Sequence, residues 1–229
     1  MPQTDTVGEY FHREARRFDS IYEDDKKPCQ RIIDALFRGV VRRRYELTME
    51  RMGKMNGERI LDVGCGSGRY SISAVLTGAG EAIGIDLAPN MIALAEEYSQ
   101  RAGVSDRCKW MKADFLVSDE INGKFDYILA MGFFDYVSNP VVFLRKMKGL
   151  LKGTLIASFP KRWEARNFIR KARLSIFGCG VRYYTSGEIK KLFASAGMKE
   201  GNLEIQILSR DYLVFYSGDD DKKTRAVNG

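Results

Sequence analysis

At 229 residues the chain is long enough for one substantial core and short for two, and its 45% hydrophobic and 29% charged content is that of a globular domain with no apolar run near the roughly 20 residues of a membrane span. Cys29, Cys65, Cys108 and Cys179 lack C-x-x-C spacing, so neither a zinc site nor a disulfide framework is expected; with a polar N-terminus that has no signal-peptide core, they fit a reduced, cytoplasmic setting. The formal net charge of +7 sits mainly in two segments, nine Lys/Arg against three Asp/Glu over 26–54 and seven cations against Glu164 alone over 160–182, which flank a nearly balanced body.

In chain order, residues 30–52 place Ile33, Leu36, Phe37, Val40, Val41 and Leu47 near a 3.6-residue period and predict a helix, with Gly39 as its weak point. ERILDV predicts a short strand, and RYSISAVLTGAG a helix ending near Gly78 or Gly80. EAIGID is a second strand. Pro89 then opens a helix that Gly103 closes, the usual Pro-first, Gly-last order. CKWMKAD and FDYILAMG are the third and fourth strands. Asn139 is expected to cap, and Pro140 to open, a helix through Leu151, and GTLIASF is the fifth strand.

Short apolar strands alternating with amphipathic helices imply right-handed βαβ units and a parallel sheet covered on both faces. The alternation then breaks at 160–183, a basic and aromatic stretch without a clean period. YTSGEIKKLFASAG follows as a well-marked helix: Thr185 and Glu188 form a capping box, Tyr184 and Ile189 occupy the staple positions, and Gly197 ends it. NLEIQILS and DYLVFYSG are separated by too little chain for a parallel crossover, so they are expected to pair antiparallel. The tail from 219 to 229 reads as disordered.

The stretch LDVGCGSGRY carries Gly64, Gly66 and Gly68 between the first strand and its helix, at the carboxyl edge where open parallel sheets bind ligands. A dinucleotide turn wants G-x-G-x-x-G, whose third glycine would fall at Arg69, so a pyrophosphate fits this spacing poorly. Asp86 ends the second strand, where a carboxylate can accept from both hydroxyls of a ribose. Asp114 stands just past the third strand, after Ala113, and Asp62 opens the glycine turn. Three carboxylates around one crevice suit a ligand with amines, hydroxyls and a positive centre better than one with phosphates. Two of them have a plainer reading: Asp114 caps the following turn, and Asp86 substitutes for Ala88 as a helix cap.

ILDVGCGSG, AIGIDLAPNMIALA, KADF and FDYILAMGFFDYV resemble, in order and spacing, the motifs of class I S-adenosylmethionine-dependent methyltransferases. The likeness runs from about Glu58 to Phe159 and, in topology, to Gly218. It implies an α/β, Rossmann-like, doubly wound fold with seven strands, mostly parallel with an antiparallel C-terminal pair. Residues 1–54 would form an N-terminal helical arm and 55–218 the methyltransferase domain, while the cations and aromatics of 160–183, from their own composition, are expected to form a lid inserted in it, with a solvated surface loop as the alternative. The resemblance also implies roles. Gly64, Cys65, Gly66 and Gly68 let the backbone approach the methionine part of S-adenosylmethionine, with Asp62 near its amino group. Asp86 takes the ribose, with Leu87 and Met91 packed beside it. Ala113 and Asp114 hold the adenine, and Ala130 and Met131 border the sulfonium. Arg44, within Arg42-Arg43-Arg44, lies near the position of an arginine that some small-molecule O-methyltransferases direct at the cofactor carboxylate; a solvent-facing basic helix explains it equally well. No metal is implied. Ala88 departs from the serine cap of many relatives, at a cost of about 1 kcal/mol.

A general base is required only for a poorly ionised acceptor. His12 reads as a surface residue, while Tyr10, Tyr22, Tyr183 and Tyr184 are unranked candidates. The arm 8–25 and the insertion 160–183 mix aromatics with cations, which suits a small anionic or flat acceptor methylated on oxygen. RNA is the rival, since KRWEARNFIRKAR offers cations for phosphates and an aromatic for stacking, but no appended RNA-binding domain accompanies it. A nicotinamide oxidoreductase and a silent cofactor-binding subunit are the alternatives outside the class.

Overall fold

A computed structural model describes residues 41–162 and 182–218. Seven strands form one sheet: β1 (Arg59–Val63), β2 (Glu81–Asp86), β3 (Cys108–Lys112), β4 (Phe125–Ala130), β5 (Leu151–Pro160), β6 (Leu203–Ile207) and β7 (Asp211–Ser217), in the spatial order β3-β2-β1-β4-β5-β7-β6. Strands β1 to β5 pair in parallel, while β7 runs antiparallel to both β5 and β6. This is the seven-stranded, doubly wound architecture expected from the sequence.

The inner strands are apolar on both sides because both faces are covered. On β4, Phe125, Ile128 and Ala130 enter one core and Leu129 the other; on β7, Tyr212, Val214 and Tyr216 alternate in the same way with Leu213 and Phe215. The first core is closed by α4 (Pro140–Leu150) and α5 (Ser186–Ser195), through Leu144, Met147, Ile189 and Phe193. The second is closed by helical residues 41–52 (α1), by α2 (Arg69–Leu76) and by α3 (Pro89–Arg101). Helix α1 is locked to this face by buried Thr48 and Met52, by the Tyr45 hydroxyl donating to Ser73 Oγ at 2.7 Å, and by the Arg51 guanidinium 4.0 Å above the Phe215 ring.

Local signals account for most element ends. Thr185 and Glu188 cap α5 reciprocally, the Glu188 carboxylate accepting from the Thr185 N–H at 2.8 Å. Tyr184 and Ile189 are buried in the same core, as the staple requires, and Gly197 leaves the helix at φ 76°. Asn139 occupies the cap position of α4, yet its side chain makes no capping bond; Pro140 sets the helix start without it. Strand β5 is longer than GTLIASF, because Leu151 already pairs with Phe125 and Pro160 still pairs with Asp211. Of the helix expected over 30–52, residues 30–40 lie outside the described chain, as do 163–181 of the lid, His12, Tyr10, Tyr22 and the tail. Among the described residues no helix is long and apolar enough to cross a membrane.

Candidate functional site

The sheet order reverses between β1 and β4: the chain winds outward through β2 and β3 on one side and through β4 and β5 on the other. At such a switch point the loops above adjacent strands part and leave a crevice at the carboxyl edge. The glycine turn stands on one wall and the turn after β4 on the other.

The turn is closed on itself. The N–H groups of Gly64 and Cys65 both donate to the Ile85 carbonyl, at 2.8 and 3.1 Å; that of Gly68 donates to the Cys65 carbonyl at 3.0 Å; that of Gly66 donates to Asp86 Oδ2 at 2.9 Å. A phosphate cradle must turn such donors toward its ligand. Here four of them face inward, so the turn is built for close approach and not for a pyrophosphate.

The three glycines have different reasons to exist. A Cβ at Gly68 would lie 2.4 Å from the Trp110 ring, and one at Gly64 would lie 2.8 Å from Phe133 Cδ2. Both are packing glycines whose missing side chains are replaced by rings of the protein. At Gly66 a Cβ would meet nothing within 4 Å. The space beside Gly66 is open, as a crevice that receives a ligand requires.

Asp86 organises this wall. Its Oδ2 holds Gly66 and its Oδ1 accepts from the Ala88 N–H at 2.9 Å, leaving further lone-pair positions for a ligand's hydroxyls. Burial pushes its carboxyl upward, opposed by the N–H groups of Ala88, Gly66 and Leu87. It is not a helix cap in the ordinary sense, because the N–H it binds belongs to the cap residue Ala88 and not to the first turn of α3. Leu87 is half-buried and Met91 buried beside Ala88. The Ala113 N–H donates to the Asp86 carbonyl at 3.2 Å, which brings the ends of β2 and β3 together. Asp114 Oδ1 accepts from the Leu116 N–H at 2.8 Å, so the turn-capping reading holds for one of its oxygens.

Asp62 lies beneath the turn, 1% exposed, with Oδ2 accepting from the Ser71 hydroxyl at 2.9 Å. Burial raises its carboxyl to about 7, the Ser71 bond opposing and the neighbouring Asp86 adding to the rise. Cys65 is buried too; burial, with Asp86 and Asp62 close by, pushes its thiol well up and leaves it unreactive. Across the crevice, Ala130 is fully buried and Met131 half-buried at the end of β4.

Arg42 and Arg43 face solvent, with side chains 80% and 57% exposed, whereas Arg44 is turned inward at 12%. Its Nη1 donates to Ser158 Oγ at 3.1 Å and to Asp211 Oδ2 at 3.2 Å, and its Nη2 lies 4.0 Å from where a Gly132 side chain would begin. The solvent-facing reading of Arg44 is therefore corrected: it sits at the carboxyl ends of β4 and β5.

Around the base of the insertion, the Tyr184 N–H donates to the Pro160 carbonyl at 2.8 Å, the Arg162 N–H to the Tyr184 carbonyl at 3.0 Å, and the Arg182 N–H to the Asp135 carbonyl at 2.9 Å. The segment thus leaves and re-enters at one point, beside the turn after β4. Arg162, Arg182, Lys191 and Tyr183 line an open depression there. The buried Tyr184 hydroxyl donates to the Phe134 carbonyl at 2.9 Å, and burial lifts it to about 12, which unfits it as a base.

Trp110, Phe133, Ser158 and Asp211 are site residues that pattern reading missed. Phe133 stands inside FDYILAMGFFDYV, yet nothing local says that its ring meets Gly64.

The model of a family described as a methyltransferase domain matches residues 54–197. Among curated proteins the chain is similar to ribosomal protein L11 methyltransferase of Salmonella newport, 40% identical over 78 residues, which cover 30% of this chain and 27% of that protein. The match thus spans about a quarter of that relative's length. In fold it is similar to magnesium protoporphyrin IX methyltransferase from Synechocystis, crystallised with S-adenosylhomocysteine, with a TM-score of 0.78 at 17% identity over 95% of this chain and 100% of that one. It is also similar to an O-methyltransferase family 2 protein from Planctomyces limnophilus in complex with apigenin, with a TM-score of 0.55 at 21% identity over 72% and 52% of the two chains.

Proposed function

This chain belongs to the methyltransferase-domain family as a class I S-adenosylmethionine-dependent methyltransferase, and from that premise we propose that its acceptor is a small anionic or aromatic molecule methylated on oxygen. The observation that carries the cofactor part is the glycine turn, closed internally at its N–H groups and open to a ligand at Gly66 alone of its three glycines. When bound, the cofactor supplies a methyl group on positively charged sulfur, activated for in-line displacement.

The residues of the crevice fit that group. Asp86 accepts from the ribose hydroxyls, with Leu87 and Met91 packed beside the sugar. Ala113 and Asp114 hold the adenine. Gly66 passes close under the methionine part, on a turn that Gly64, Cys65 and Gly68 hold from within, Asp62 lies below its amino group, and Arg44 faces its carboxylate. Ala130 and Met131 border the reacting end. What the protein adds is alignment and exclusion of water, and alignment alone is worth roughly 7–11 kcal/mol in favourable cases.

The acceptor class is supported by the cations Arg182 and Lys191 around the base of the insertion, where Arg162 is itself ion-paired with Glu188. It is supported too by likeness in fold, over almost the whole chain, to an enzyme of magnesium protoporphyrin IX. S-adenosylhomocysteine at 100 times its dissociation constant should stabilise the chain by about 2.7 kcal/mol, and NAD should not. Transfer of labelled methyl from S-adenosylmethionine is then scored on phenols and carboxylates, on RNA, and on ribosomal protein. Label appearing only in RNA or protein refutes the small-molecule reading.

A further inference from the structure

We propose that Phe133 is a selectivity residue of the crevice, an aromatic wall that favours the positively charged methyl donor over its neutral product. The inference rests on the cofactor reading above and deepens it.

Its ground is where the ring lies. Phe133 is the third residue beyond β4, and its Cδ2 stands 2.8 Å from the point that a Cβ on Gly64 would occupy. Gly64 follows β1, and β1 and β4 are hydrogen-bonded neighbours. The ring therefore spans from the turn after β4 to the glycine turn, two residues beyond Met131, which the cofactor reading places at the sulfonium. It is half-buried and so keeps accessible surface.

The ring is also held. Before it, Gly132 turns at φ 69° and its N–H donates to the buried Ser158 Oγ at 2.7 Å. Ser158 in turn takes the Arg44 guanidinium at 3.1 Å, which ties this turn to α1. After it, the Tyr136 N–H donates to the Phe133 carbonyl at 3.2 Å, and the Phe134 carbonyl accepts from the Tyr184 hydroxyl at 2.9 Å. On the core side the ring packs edge-on against Phe134 and Phe143, with centroids 5.3 and 5.1 Å away. A ring so fixed is a wall and not a mobile plug.

An aromatic face attracts a cation within about 6 Å of its centroid more strongly than it attracts a neutral thioether sulfur, which gains only the weaker sulfur–ring contact. Donor and product differ by one methyl group and one positive charge on sulfur. Phe133 therefore discriminates between them at the atom that changes, which favours donor entry and product release.

The test is titration calorimetry on the full chain with S-adenosylmethionine and with S-adenosylhomocysteine, in the parent and in Phe133→Leu, Phe133→Met and Phe133→Tyr. The Leu and Met variants should lose donor affinity roughly three- to tenfold more than product affinity, and the Tyr variant should keep the parent's ratio within about twofold. A thermal melt of each variant separates lost folding from lost binding, and Met remains informative where the Leu variant unfolds, because its flexible chain fills the gap. Equal weakening of both ligands, or an unmoved ratio, overturns the inference and leaves the ring a shape element. A parent that binds neither compound overturns the cofactor reading and this inference together; one that binds both with an unmoved ratio in the variants overturns this inference alone.

Discussion

Replacing Asp62 by Asn should make the protein more stable at pH 8 while leaving its stability at pH 4 nearly unchanged. Asp62 is 1% exposed, and burial raises its carboxyl from the ordinary 3.8 to about 7. Between those two values the folded protein keeps a proton that the unfolded chain has released. The favourable contribution of the protonated form is complete below pH 3.8 and is lost as pH rises through 7. The difference of about three pKa units corresponds to about 4 kcal/mol at most. Asn cannot ionise but still offers Ser71 an acceptor in place of the carboxylate oxygen 2.9 Å away. Urea denaturation of parent and variant at several pH values from 4 to 8 measures the difference, and comparing the two proteins cancels most other titrating groups. Parallel curves, or a variant less stable at pH 8, would refute the reasoning. Product binding supplies a second readout: a cationic amino group arriving above Asp62 favours its ionised form, so the parent should release a proton on binding near pH 6.5 and the Asn variant should not.

Asp86→Ala should weaken product binding by about 1.5–3 kcal/mol for each charge-assisted bond lost, and by more than it weakens folding; calorimetry beside a melt decides, and the reverse pattern would make Asp86 purely a fastener of Gly66 and Ala88. Gly66→Ala and Gly68→Ala should part company. Both positions have positive φ, 54° and 76°, so each substitution costs about 1–2 kcal/mol in backbone strain. Only at Gly68 does the new Cβ also strike Trp110. The Gly68 variant should therefore fail to fold or melt far lower, while the Gly66 variant folds and loses cofactor; equal melting points would refute the division.

The fold was legible because its signals are local. Pro89 and Pro140 start helices, Thr185 and Glu188 close a capping box within one turn, and the interval between β6 and β7 is too short for any crossover. Where a neighbour in space decides, the local sequence carries no signal. The extra residues of β5 exist because β7 and β4 pair along both its edges, and Asn139 looks like a cap but makes no capping bond. Arg44 was undecided for the same reason. Its two arginine neighbours in sequence face solvent, and only the distant Ser158 and Asp211 draw the third inward.

The site follows the same division, and the glycine turn shows where it falls. Gly64-x-Gly66-x-Gly68 reads as three equivalent openings for a ligand, because a sequence shows a missing side chain without showing what takes its place. Trp110 stands over Gly68 and also over Gly84 on β2, anchored by its indole N–H to Ser99 at 3.0 Å. Phe133 stands over Gly64. Two of the three glycines are thus answers to large rings brought in from β3 and from beyond β4, contacts that exist only once the sheet is assembled. They are not wasted on function. Rings pressed against a turn leave it little freedom, and a turn with four N–H groups bonded inwardly has little reason to rearrange when a ligand arrives. Gly66 can then stay open without the loop collapsing into the space. The aromatic pair and the inward hydrogen bonds make the turn rigid, and that rigidity keeps the one unfilled glycine available for the role proposed for it.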